Sequence, residues 1–211
     1  WLGTWNPVGS YFDRGDPEVA APANTDGNRS LTNSQVSLFD SVKHRITVQE
    51  ADLGLTGATY FYGIQLVHQG EDVNNRGDNI ASRGCTPTWS GTTWSFPNNS
   101  SYPLVYGSIL QNWTGATVGY GGNGTDDGRF AVAVVVTGPV AGMYHYEIAV
   151  HNIDNNRKGG AFHIPVDANA TVSNIGFRDI DADATNDWTG VRTGTDIAFT
   201  APRTNPLKWN E

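Results

Sequence analysis

The feature that most constrains this chain is a strict two-residue alternation over positions 144–151. Tyr144, Tyr146, Ile148 and Val150 alternate with His145, Glu147, Ala149 and His151. A period of two belongs to an extended strand, because successive side chains there point to opposite faces. The pattern predicts an aromatic and aliphatic ladder turned toward a core, with the His and Glu residues on the other face. Asp154, Asn155, Asn156, Gly159 and Gly160 follow as turn formers. Residues 161–166 then return as a partner strand, which predicts a β-hairpin over 142–166.

No window shows a sustained 3.6-residue apolar period. With 25 glycines, 10 prolines and seven tryptophans, the chain favours short strands and frequent turns over helices. Further strands are expected at 36–39, 45–49, 60–67, 105–117, 171–181 and 195–200. The continuous apolar run 130–136 reads as a strand buried on both faces. The resulting expectation is an all-β, antiparallel β-sandwich, jelly-roll or immunoglobulin-like, in one composite or two packed sandwiches. The organisation reads as an N-terminal arm over 1–35, a β-rich segment over 36–120 and a β-sandwich segment over 121–211. The glycine-rich stretch 121–128 marks either a boundary or a long turn.

Charge narrows the partners. The formal net charge is −8, with 13 scattered Lys and Arg residues, so nucleic-acid and anionic-membrane binding lack the basic cluster they need. No stretch is long and apolar enough to predict a membrane span. The single cysteine, Cys85, allows no intrachain disulfide and no Cys-based zinc site, and it reads as packing. Because the chain starts at Trp1 and its only methionine is Met143, it reads as a mature or clipped product.

Catalytic signatures are missing at the level of motif. Gly-x-Ser-x-Gly, a phosphate-binding glycine loop and His-Glu-x-x-His are all absent, which sets the reading against an enzyme. Asp179, Asp181, Asp183 and Asp187 stand at relative positions 1, 3, 5 and 9, as in the first part of an oxygen-ligand calcium loop. Ala184 replaces the turn glycine of that loop and Gly190 its last glutamate, so the same aspartates also suit turn capping. Calcium is the one cofactor expected. His145 and His151 lie about 20 Å apart along a strand, too far to share an ion.

The residues 127–130, 144–152, 162–166 and 172–181, with Asp187 and Trp188, resemble the C-terminal half of a family of uncharacterised secreted bacterial β-sandwich proteins, themselves similar to anchored cell-surface products. The resemblance extends more weakly over 36–67. It implies an extracellular or cell-surface location, and it implies a last strand that this chain lacks after Leu207-Lys208-Trp209. Two function classes follow. The first is an extracellular structural or surface-assembly protein that associates with itself or with neighbouring surface proteins, using Trp1, Trp5 and Trp209 at the chain ends. The second is a carbohydrate-binding module that stacks a polysaccharide on Trp89, Trp94, Trp113 and Trp188.

Overall fold

A computed structural model of the chain describes residues 10–12, 30–32, 50–66, 71, 72, 74, 75, 79–122, 128–155, 157–178 and 183–208. The expected strands at 36–39 and 45–49 fall outside these residues. The chain divides into two compact units, Trp1–Ala58 and Thr59–Glu211. In the first, β1 (Ser10–Phe12) pairs antiparallel with β2 (Ser30–Thr32), and a single helical turn, α1, spans Glu50–Leu53.

The second unit is built from small antiparallel sheets, none of them closed. One contains β3 (Tyr60–Gln65), β4 (Ile80–Cys85) and β7 (Val105–Tyr106); a separate hairpin joins β5 (Thr88–Trp89) to β6 (Trp94–Ser95). A 3-10 helix, Ile109–Asn112, leads to a sheet of β8 (Thr117–Gly122), β9 (Arg129–Val140) and β10 (Met143–Asn152) in the order β10-β9-β8. The last sheet holds β11 (Ala161–Pro165), β12 (Thr189–Thr193) and β13 (Asp196–Thr200) in the order β11-β13-β12. β8 and β9 pair directly, from Thr117↔Val134 to Gly122↔Arg129.

The all-β class stands, but the hairpin expected over 142–166 does not. β10 pairs with β9 through a two-residue turn, Ala141-Gly142, while β11 pairs with β13. Both turn residues have positive φ, 51° and 79°, the conformation whose twist suits a two-residue hairpin loop. A short loop closes at lower entropic cost than the eight-residue connection 153–160, so β10 takes the nearer partner. His163 accordingly lies beside Asp196, 2.8 Å away, and not beside His145.

At its base the sheet is covered on the face opposite the one expected, and over 144–147 β10 is exposed on both faces. Ala131 and Ala133 on β9 are fully buried and His151 on β10 is buried, so the inner face of this sheet is the one carrying small side chains and His151. Tyr144 and Tyr146, on the ladder face, are 54% and 60% exposed. β3 and β4 show the same distribution: Ile80, Ser82 and Gly84 on β4 are buried, whereas Ile64 on the opposite face is 52% exposed. Small residues let backbones approach closely, and a Cβ at Gly84 would collide with the Tyr102 side chain. The core is therefore thin. Ile80, Ala131 and Ile153 form its centre, with Leu110 and Val118 packed against them, and it joins the β3-β4-β7 sheet to the β10-β9-β8 sheet. The run 130–136 is buried on one face only, since Val132 and Val134 are half-buried and Val136 is exposed.

Candidate functional site

This packing leaves a projecting arm. β8 accompanies β9 only as far as Val134, and beyond that point β9 and β10 run on as a two-stranded ribbon to the turn at Ala141-Gly142. Val136, Val140, Met143, Tyr144 and Tyr146 on this ribbon are each about half or more exposed. The ribbon bears no lysine or arginine after Arg129, and apart from its tyrosines its ionisable side chains are His145 and Glu147, which approach to 3.7 Å on the face opposite Tyr146. On the base of the same sheet, Gly119 and Gly121 of β8 offer no side chains beside Val132 and Phe130. The result, on the Tyr146 face, is a continuous apolar surface of Val132, Val134, Val136, Tyr146, Ile148 and Val150, paired across the two strands.

A two-stranded ribbon is marginal in water by itself, and exposed apolar side chains in a contiguous patch mark a contact surface. The second sheet presents a smaller patch of the same kind: Ile64, Ala81 and Tyr106 sit in one cross-strand row, with Tyr106 70% exposed. Sequence reading missed these residues as a site because it took the ladder as core. The available signal lay on the neighbouring strand, where Ala131 and Ala133 alternate with Phe130, Val132 and Val134.

The four tryptophans named as sugar platforms do not form one row. Trp89 and Trp94 are cross-strand partners on β5 and β6, with ring centroids 5.5 Å apart and planes tilted by 45°. Ser90 N–H donates to Thr93 O at 3.0 Å, so the adjacent Trp89–Trp94 pair is the non-hydrogen-bonded kind, in which side chains approach most closely. Trp188 stacks on Phe177 at 5.8 Å and donates its Nε1–H to Asn205 O, while Trp113 is half-buried at the end of the 3-10 helix. Of the four only Trp89 is exposed, at 48%, beside Ser90, Thr92 and Thr93, while Trp94 is half-buried.

Of the aspartates in the calcium pattern, Asp179 and Asp181 lie outside the described residues, as do Trp1, Trp5 and Trp209. Asp183 is exposed, and its Oδ1 accepts from Thr185 Oγ1 at 2.6 Å and from Thr185 N–H at 3.0 Å. Those two bonds, the hydroxyl first, hold its carboxyl below the ordinary aspartate range. Asp187 is half-buried. Among the described residues no three His, Cys, Asp or Glu side chains converge on a common point.

One buried pair has the spacing of a nucleophile and its base. Ser108 Oγ lies 2.8 Å from His151 Nδ1. Ser108 is fully buried, however, and its Oγ accepts from Leu110 N–H as the cap of the 3-10 helix. The pair fastens that helix to β10. Asn152, also fully buried, acts similarly: its Nδ2 donates to Asn155 O and Leu207 O, and its Oδ1 accepts from Asn155 N–H. Cys85 is buried, which pushes its thiol pKa up. No family model matches the chain, and neither does any curated protein or solved structure.

Proposed function

We infer that this chain is an extracellular structural protein that assembles with copies of itself, the outer faces of its sheets being completed by neighbouring molecules in a β-sandwich-like arrangement. The observation that carries the reading is the apolar ribbon beyond Val134, exposed on a chain whose inward faces bear the small residues. Covering such surface stabilises by about 25 cal/mol per Å² removed from water, whereas leaving it wet favours indiscriminate aggregation. The extracellular location rests on the resemblance to secreted β-sandwich proteins and on an acidic surface that stays soluble. Among the described residues no helix is long and apolar enough to cross a membrane. Light scattering across a micromolar concentration series tests the reading: the mass rises above the 22.7 kDa of one chain, and replacing Tyr144 and Tyr146 with lysine returns it to that value. A monomer at every concentration would end it.

A second reading, a carbohydrate-binding module, is favoured by one observation. Trp89 stands half-exposed on its own hairpin among serine and threonine hydroxyls, and an aromatic face bordered by hydroxyls suits a sugar ring. Quenching or a blue shift of tryptophan fluorescence on adding soluble polysaccharide, lost in Trp89→Ala, is the expected sign. An unchanged spectrum across neutral, acidic and amino-sugar polymers counts against it.

A further inference from the structure

We propose that two copies of this chain pair edge to edge along β10, antiparallel, about a two-fold axis at Tyr146. The inference rests on the assembly reading above and specifies the surface and register through which it begins.

β10 is the outer strand of its sheet. Ile153 N–H donates to Arg129 O at 3.0 Å, which continues the register Asn152↔Phe130 as a hydrogen-bonded pair. Because bonding alternates along an antiparallel ladder, the backbone groups of residues 145, 147, 149 and 151 point toward β9. Those of Tyr144, Tyr146, Ile148 and Val150 then point away, to an edge that no other described strand covers. Natural edges are blunted by lysine, proline or a covering segment, yet Met143–Asn152 contains neither lysine nor proline. The inner end is closed, since His151, Asn152 and Ile153 are buried.

These facts select the register. Only outward-facing residues can bond across the new edge, so the axis must lie among Tyr144, Tyr146, Ile148 and Val150, between the turn and the buried inner end. With the axis at Tyr146, that residue faces itself, Tyr144 faces Ile148 of the second copy, and His145 faces Glu147 of the second copy. Moving the axis to Glu147 sets two carboxylates together, and moving it to His145 sets two imidazoles together, each costing the pair its complementarity. An axis at Ile148 or beyond needs Asn152, which is buried, or matches Glu147 with His151, which is buried against Ser108. The favoured occupant is thus a second copy of this chain: the edge is complementary to itself in charge and in apolar pattern. The tyrosines of both copies then form one stripe across the axis, and the ribbon ceases to be two-stranded.

Disulfide trapping tests the register. Residues in a hydrogen-bonded antiparallel pair have Cα atoms about 5.5 Å apart, within the roughly 4.4–6.8 Å span of a disulfide. Tyr146→Cys is expected to give a covalent dimer under mild oxidation at concentrations where scattering shows association, while Val191→Cys on β12, equally exposed, stays mostly monomeric. A second measurement uses charge. Glu147→Lys should lower the dimer fraction several-fold, and the double exchange His145→Glu with Glu147→Lys should restore it. Association without trapping at position 146 and without charge rescue overturns the edge pairing and leaves the assembly reading in place. Absence of association in the unmodified protein overturns both.

Discussion

Replacing Asn152 with alanine should destabilise the second unit by about 2–3 kcal/mol. Its side chain is fully buried and makes three hydrogen bonds, two to the 155 backbone and one to Leu207 O. Each such bond contributes on the order of 1 kcal/mol net. Two of the acceptors keep another partner, because Leu207 O also accepts from Gly159 N–H and Asn155 O from Lys158 N–H; this keeps the total below the cost of three orphaned groups. Asn155 N–H alone loses its acceptor. For a unit of this length the loss lowers Tm by roughly 5–10 °C, and urea unfolding followed by tryptophan fluorescence reads it directly. Asn152→Asp adds a check of sign. It keeps the acceptor but sets a carboxylate against two carbonyl oxygens, so burial and repulsion raise its folded-state pKa above the ordinary value of about 3.9. A raised carboxyl pKa favours the protonated form in the fold, so the deficit is largest at neutral pH and shrinks as pH falls through the folded pKa. An Asn152→Ala protein within about 0.5 kcal/mol of wild type, or an aspartate variant with no pH dependence, would refute the reasoning.

Gly128→Ala should cost about 1–3 kcal/mol, since Gly128 has φ +91° and a Cβ there would meet the backbone of Asp154 and Asn155; a neutral result by denaturant titration would contradict the tight passage into β9. Cys85, buried and with its thiol pKa raised by desolvation, should react slowly with a soluble disulfide reagent at neutral pH and rapidly in denaturant. The Asp183 carboxyl should titrate by NMR below about 3.9 and move upward in Thr185→Ala, which removes the hydroxyl donor. Being depressed, its pKa favours the fold at neutral pH, and this contribution fades as pH falls through the folded value. The aspartate spacing predicts that millimolar calcium raises Tm and that Asp181→Ala abolishes the rise; equal Tm in calcium and EDTA removes that expectation.

The class of fold was legible because glycine content and two-residue alternation both point to short strands, and Tyr60–Gln65 and Met143–Asn152 carry it. What alternation does not specify is which face lies inside. Hydrophobicity assigns the ladder of tyrosines to the core, but packing here is decided by close backbone approach at Ser82, Gly84, Ala131 and Ala133, which only small side chains permit. Strand pairing was misread for a related reason. Thr137-Gly138-Pro139 looks like the end of a strand, yet the register shift between Met143 and His145 shows that β9 takes up one extra residue there, Gly138 and Pro139 standing opposite Tyr144, and continues to Val140. Of the candidate residues, the Trp89–Trp94 pair was readable as aromatic content and not as a pair, because the Gly91 turn that aligns them has no signal beyond one glycine, with φ +95°.

Amide hydrogen exchange read residue by residue at low and high protein concentration bears most directly on self-assembly. The outward amides of Tyr144, Tyr146 and Ile148 should exchange quickly in dilute protein and become protected as concentration rises, while the amide of the fully buried Ala133 is slow throughout. Fast exchange along β10 at every concentration, with a constant mass of one chain, would contradict the account.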